Sequence, residues 1–221
     1  MTLTLGLDTS TVVCAGIAGT GQTLLTAMVP DARAHAEQLM PLVAQVLADA
    51  GLVAAQLSRI AVGVGPGPFT GLRVGVVTAL TLGEVLQIPV RGVCSLDVIA
   101  AQWTGPGQGD ASAAPDEFVV VSDARRREVY WARYAGGSRQ GEPQVSAPDQ
   151  VPALPVAGPG AALVGVASGP TDLDAGILAR VGFDLPDVGT EPLYLRRPDA
   201  EVPSAPKSAL PQARLSFGRR Q

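Results

Sequence analysis

The chain has one histidine, His35, and one lysine, Lys207, in 221 residues. Each scarcity removes a class of chemistry. One imidazole cannot build a two-histidine metal site, and Cys14 and Cys94 are too dispersed to suggest a zinc cluster. A histidine-based triad would have to use His35, and no Gly-x-Ser-x-Gly elbow offers it a nucleophile. His35 more readily caps a helix start or contacts a neighbour. A Walker loop needs Gly-Lys-Ser/Thr where its helix begins, and the lone lysine lies in the C-terminal tail. No run of 18 apolar residues is free of charges and breaks, so no membrane span is expected. Met1-Thr2-Leu3-Thr4 lacks the basic start of a signal peptide. The two cysteines therefore read as buried reduced thiols in a cytoplasmic protein rather than as a disulfide. Aromatics make up only 4%, so a core must be built from Leu, Val and Ala.

The material for that core is present, since 47% of residues are hydrophobic and 16% charged. The chain carries a net charge of −4. Residues 196–221 hold Arg196, Arg197, Lys207, Arg214, Arg219 and Arg220 against Asp199 and Glu201, a net of +4, which leaves −8 for the rest. A body that acidic is a poor nucleic-acid binder by itself. The basic tail could touch RNA, but its proline, serine and alanine content also suits a solvated disordered end.

The stretch Gly63-Val-Gly-Pro-Gly-Pro-Phe-Thr-Gly-Leu-Arg-Val-Gly75 organises the first half. Ile60–Val64 reads as a buried strand, Gly65-Pro66-Gly67-Pro68 breaks regular structure, and Thr70 stands where a helix N-cap would be, before an apolar helix to Leu86. A glycine-rich turn between strand and helix favours anions through its backbone N–H groups. It is equally ordinary tight-turn chemistry. The dinucleotide spacing Gly-x-Gly-x-x-Gly is not met. Within the helix Gly71, Gly75, Ala79 and Gly83 recur every four residues and share a stripe. Each interior glycine costs about 1 kcal/mol relative to alanine, so three need a compensating close approach of another backbone. Leu72, Val76 and Leu80 form a second stripe, and Val74, Val77 and Val85 a third. A helix this apolar is buried on more than one side, by its own chain or by a partner.

Around this centre the first half reads as three strands, Thr2–Leu7, Val12–Ala18 and Gln22–Val29, in an antiparallel meander. A helix His35–Ala50 follows, then the strand and helix above, a strand Pro89–Val93, and a helix capped by Ser95. The turn Asp8-Thr9-Ser10-Thr11 could hold phosphate or metal, or could simply bond its own backbone. Thr104–Pro115 reads as a long loop. A second unit then opens like the first, with strands Glu117–Ser122 and Glu128–Tyr134 around Asp123-Ala-Arg-Arg-Arg127, so Asp123 echoes Asp8. The triple arginine suits phosphate or RNA, or a solvated hairpin turn. Beyond Gly136 the pattern weakens to short strand pieces at Val145, Val151 and Val156. A fuller strand Ala161–Ala167, a helix Asp172–Val181 and a strand-like Pro192–Arg196 follow. The units expected are residues 1–104, a linker 105–116, a smaller helix-poor unit 117–196, and a disordered basic tail 197–221.

Two halves that each open on an Asp-ended hairpin resemble the actin, Hsp70 and sugar-kinase (ribonuclease H-like) α/β fold. More specifically, the chain resembles the bacterial TsaB family. The matching stretches are Leu5–Thr11, His35–Pro41, Gly63–Arg73, Ser122–Tyr130 and Pro192–Arg196, of which Gly65-Pro-Gly-Pro-Phe-Thr-Gly-Leu-Arg73 is the most specific. The resemblance implies a non-catalytic dimerisation subunit. Its complex adds threonylcarbamoyl to N6 of the adenosine next to the anticodon, in tRNAs reading codons that start with A. The partners implied are a TsaD-like catalytic transferase, engaged through a helical bundle, a TsaE-like ATPase, and tRNA through the complex. The chain alone would pair with its own copy. No catalytic residue, metal or cofactor is expected of it, with ATP or ADP at a subunit seam. Asp8, Thr9, Ser10 and Asp123 would be vestigial phosphate-loop positions. The partner face would comprise His35, Leu39, Leu42, Val46, Gly71, Arg73, Val74, Gly75, Thr78, Ala79, Leu82 and Gly83. Two alternatives stand beside this reading: a free-standing ATP-dependent small-molecule kinase of the same superfamily, and an RNA-binding module using Arg125–Arg127 and the tail.

Overall fold

Alternation along the first strands decides how the layers form. In β1 (Leu3–Asp8), Leu3, Leu5 and Leu7 point to one side of the sheet, while Thr4 and Gly6 point to the other. β2 (Val13–Gly19) does the same, with Val13, Ala15 and Ile17 against Cys14 and Gly16. Both sides are buried, so these strands read as continuous apolar runs. The computed structural model describes residues 2–20, 22–29, 35–105 and 114–196.

With β3 (Gln22–Val29), β4 (Arg59–Gly63) and β5 (Val90–Val93), these strands form a five-stranded sheet in the order β3-β2-β1-β4-β5. The first three are antiparallel; β4 and β5 join parallel to β1. The leucine side carries α1 (His35–Asp49) and α2 (Phe69–Leu86). The other side carries α3 (Ser95–Thr104) and α4 (Ala175–Val181). Gly6 and Gly16 let α4 in: a Cβ at Gly6 would lie 2.3 Å from the Ala175 carbonyl oxygen, and one at Gly16 2.2 Å from the Gly176 nitrogen. Asp174 caps α4 with its carboxylate, accepting from the backbone N–H of Gly176 and Ile177.

The second half repeats the first through four strands. β6 (Glu117–Arg125), β7 (Glu128–Ala135), β8 (Ser138–Ser146) and the short β9 (Val156–Ala157) are ordered β8-β7-β6-β9, the counterpart of β3-β2-β1-β4. One side packs Phe118, Val120, Ala132 and Tyr134 onto α3. The other packs Val119, Val121, Val129 and Trp131 under the 151–164 segment. Helix α4, although it follows β9 in the chain, sits on the first sheet. The fold is α/β of the actin-like type expected.

Several local expectations are corrected. Thr70 does not cap α2: the helix begins at Phe69 behind Pro68, with no side-chain cap. Ser95 is the first residue of α3 behind Cys94, and its hydroxyl is used elsewhere. β8 is longer than the short strand piece expected at Val145, because Ser-Arg-Gln-Gly-Glu-Pro-Gln-Val-Ser is an edge strand, largely solvent-facing, without an apolar alternation. Ala161–Ala167 is not a strand but a 3-10 turn, Ala161–Leu163, followed by a single bridge from Ala167 to Val156. Pro192–Arg196 forms no regular element; it is held by the Leu193 N–H on the Val64 carbonyl and by Tyr194 stacked on Phe69 at 4.8 Å. The core of the expected linker, 106–113, and the tail 197–221 lie outside the described residues.

By length and composition α2 alone, among the described residues, could cross a bilayer. Its inner side, Gly71, Leu72, Gly75, Val76, Ala79 and Gly83, is buried against the sheet, the position of a core helix.

Candidate functional site

β1 ends at the corner where β4, the glycine-proline loop and α3 converge. Asp8 is fully buried there. A buried carboxylate needs donors, and the chain supplies them. Oδ1 accepts from the Ser10 N–H at 2.7 Å and from Ser10 Oγ at 2.6 Å. Oδ2 accepts from Ser95 Oγ at 2.5 Å. Ser95 Oγ in turn accepts from the Gly65 N–H at 3.1 Å. Neighbouring glycines are placed by this cluster: a Cβ at Gly63 would fall 1.7 Å from Asp8 Oδ2, and one at Gly67 2.6 Å from the Ser10 carbonyl oxygen. The loop therefore lies directly on the Asp8-Thr9-Ser10 turn and fills the space in front of the carboxylate.

Thr9 links the corner to α2. Its hydroxyl donates to the Gly71 carbonyl at 2.7 Å, and a Cβ at Gly75 would meet Thr9 Oγ1 at 2.3 Å. Gly83 makes room for Val90 of β5 in the same way. The space at Gly75 and Gly83 is thus taken first by the side chains of Thr9 and Val90 rather than by another backbone. The glycine stripe faces the chain's own sheet, its contacts being the turn after β1 and strand β5.

The residues expected at a partner face divide between the inside and the outside of these helices. Gly71, Gly75, Ala79 and Gly83 are buried inside the chain, as are Leu39, Leu42 and Val46 on α1. Val74 and Leu82 are half-buried against the same core, and Thr78 is half-buried. Arg73 is exposed, its guanidinium 5.3 Å from the Phe69 ring. His35 begins α1, and its side chain lies outside the described residues. The outward stripe of α2 is instead Arg73, Val77, Leu80, Thr81, Glu84 and Val85, with Val77 58%, Leu80 42% and Val85 72% exposed. α1 packs beside α2 and exposes Met40. The signal was present in the sequence: Arg73, Thr81 and Glu84 are where α2 turns polar, and they mark the side facing away from the sheet.

Asp123 stands in the second half where Asp8 stands in the first, but without an enclosing corner. It is part-exposed; its Oδ1 accepts the Arg125 N–H at 2.7 Å and its Oδ2 lies 3.7 Å from the Arg125 guanidinium. Asp8 and Asp123 thus differ in kind, one a buried clamp and the other a turn residue.

Among the described residues no group of three or more His, Cys, Asp or Glu side chains could hold a metal ion. Cys14 and Cys94 are free thiols, both buried. Burial pushes the Cys94 thiol up to about 12 and raises Cys14 well above its ordinary value, Asp8 adding to the latter. Neither is a nucleophile at neutral pH. A second buried carboxylate, Asp97, joins α3 to the β7–β8 hairpin. Its Oδ1 accepts from Tyr134 Oη at 2.7 Å and pairs with Arg139 Nε at 3.1 Å, while Oδ2 accepts no hydrogen bond. Burial raises its pKa, opposed by Tyr134 and Arg139.

Known proteins match this arrangement. A family model described as TsaD, tRNA N6-adenosine threonylcarbamoyltransferase, matches residues 28–165. An uncharacterised protein of Mycobacterium tuberculosis is 49% identical over 180 residues, 77% of this chain and 79% of its own. The Escherichia coli tRNA threonylcarbamoyladenosine biosynthesis protein TsaB is 32% identical over 131 residues, 59% of this chain and 54% of that one. A crystal structure from Pseudomonas aeruginosa, described as similar to peptidase YeaZ, superposes with a TM-score of 0.72 at 30% identity, over 89% of this chain and 100% of that one. The chain belongs to the TsaB (YeaZ) family of tRNA threonylcarbamoyladenosine biosynthesis proteins.

Proposed function

We propose that the chain acts in tRNA threonylcarbamoyladenosine biosynthesis as a non-catalytic pairing subunit. It would hold a TsaD-like transferase that adds threonylcarbamoyl to N6 of the adenosine next to the anticodon. The observation that carries this reading is Asp8. In an enzyme of this fold acting on phosphate, the turn after the first strand must face substrate. Here its carboxylate is buried under the chain's own loop and bonded to Ser10 and Ser95. These residues do not fit a nucleotide phosphate or its metal, so no phosphoryl-transfer step is derived through them. ATP or ADP belongs at a seam with partner subunits, a TsaE-like ATPase among them.

What remains accessible is a surface for another protein. The exposed Val77, Leu80 and Val85, flanked by Arg73 and Glu84, form an apolar stripe with a polar rim, the composition of a protein interface. Beside it, α1 contributes Met40. Two parallel layers of helices, a pair from each protein, suit that surface, and a second copy of this chain could take the partner's place in isolation.

Co-expression with the transferase subunit tests the proposal. A stable pair is expected, and it should be lost in Leu80→Glu. Failure of the native chain to pair would overturn the reading. The kinase alternative is tested by calorimetry with Mg-ATP on the chain alone: micromolar binding with turnover of a small substrate would replace the pairing role by an enzymatic one.

A further inference from the structure

We propose that residues 187–196 form a strap that locks the two halves of the chain together and couples the β6–β7 turn to the first turn of α2. Pro192–Arg196 is one of the stretches that carry the family resemblance, yet the pairing role leaves it without a task. The strap belongs to no helix or strand. An irregular segment is ordered only where contacts offset its lost backbone freedom, so its contacts show what it holds.

Those contacts run from one half to the other. At the start of the strap, the Val188 N–H donates to the Gly92 carbonyl of β5 at 3.0 Å, and Gly92 has no side chain to hold off the Gly189 carbonyl. The Asp187 carboxylate accepts the Gly189 N–H at 2.9 Å and fixes this bend. In the middle, the Leu193 N–H donates to the Val64 carbonyl at 2.8 Å. The Leu193 side chain packs against both hydrophobic cores that flank the first sheet, one of which continues into the second half. The Tyr194 ring stacks on Phe69, the first residue of α2. At the end of the strap, Arg196 reaches the second half. Its Nη1 donates to the Ala124 carbonyl at 2.9 Å and its Nη2 pairs with Glu128 at 3.0 Å, so one guanidinium spans both stems of the β6–β7 turn. Tyr194 and Arg196 are two positions apart, at most about 7 Å of extended chain, which leaves little slack between their anchors. α3 ties the halves independently, with Trp103 on Phe118 at 4.8 Å. Because α2 and α3 lie on opposite sides of the first sheet, the two ties together resist rotation about either one.

Every contact of the strap lies within the chain, so it does not rest on the pairing role. The test is hydrogen–deuterium exchange of the full chain, read by mass spectrometry on peptides covering 65–75 and 122–130. Tyr194→Ala removes the tie in the first half and should raise exchange about fivefold or more at 122–130, in the other half. Arg196→Gln removes the tie in the second half and should raise exchange at 65–75 by a similar factor. Tyr194→Phe keeps the stacked ring and should match the native chain. Arg133→Gln breaks a surface pair with Glu117 within the second half and should leave 65–75 as it was. Changes confined to the half in which each replaced side chain makes its contact would overturn the coupling. So would an equal rise across all peptides, which would mean that the variants only weaken the whole fold.

Discussion

Asp8 Oδ2 and Ser95 Oγ lie 2.5 Å apart across 87 residues of sequence. That bond ties the end of the first strand to the first residue of α3, and through the Gly65 N–H it also holds the glycine-proline loop. Replacing Asp8 with Ala would leave the Ser10 and Ser95 hydroxyls and the Ser10 backbone N–H buried without this acceptor. Asp8→Ala is expected to lower unfolding free energy by about 3 kcal/mol in urea titration. Retained Mg-ATP turnover that vanishes in this variant would instead mark Asp8 as a working phosphate residue.

Gly75→Ala probes the inward side of α2. The added methyl would fall 2.3 Å from Thr9 Oγ1, which is itself committed to the Gly71 carbonyl. Overpacking costs about 1–3 kcal/mol, less about 1 kcal/mol regained from alanine's helix propensity. A net loss of up to about 2 kcal/mol is expected by thermal or urea unfolding, with pairing to the transferase unchanged at temperatures where the variant is folded.

The outward side should behave in the opposite way. Val77→Glu and Leu80→Glu replace exposed residues, so stability should stay within about 0.5 kcal/mol. Pairing, followed by size-exclusion chromatography or calorimetry, should weaken at least tenfold, since each places an unpaired charge in an apolar contact. Undiminished pairing in both would move the interface off α2.

Asp97 gives a pH signature. Burial raises its folded pKa above the unfolded 3.8, so the folded state binds the proton more tightly. Its contribution to stability is therefore largest below the unfolded value and declines as pH rises through the folded one. Relative to Asp97→Asn, the native chain should lose stability between pH 4 and the upper end of that titration. Urea midpoints of the two proteins, measured side by side from pH 4 to 7, check this. A native chain that gains on the variant over that range would show that Arg139 and Tyr134 outweigh the desolvation.

The sequence alone determined the element order of the first half and the repeat that opens the second. Hydrophobic period and glycine-proline punctuation are local, and local signals survive in one dimension. It also determined that the chain carries no two-histidine metal motif and no Walker lysine, because one histidine and one tail lysine are facts of inventory. Tertiary structure alone decided the direction of the α2 glycines. Their spacing says that another group must come close, but not which, and only the packed sheet shows the Thr9 and Val90 side chains in that space. The full length of the polar edge strand β8 and the bonds of Arg196 to Ala124 and Glu128 were likewise not legible in the sequence. β8 carries no apolar alternation to mark it beside its hairpin neighbour β7, and Arg196 joins segments 68 to 72 residues away, a contact that no spacing along the chain encodes.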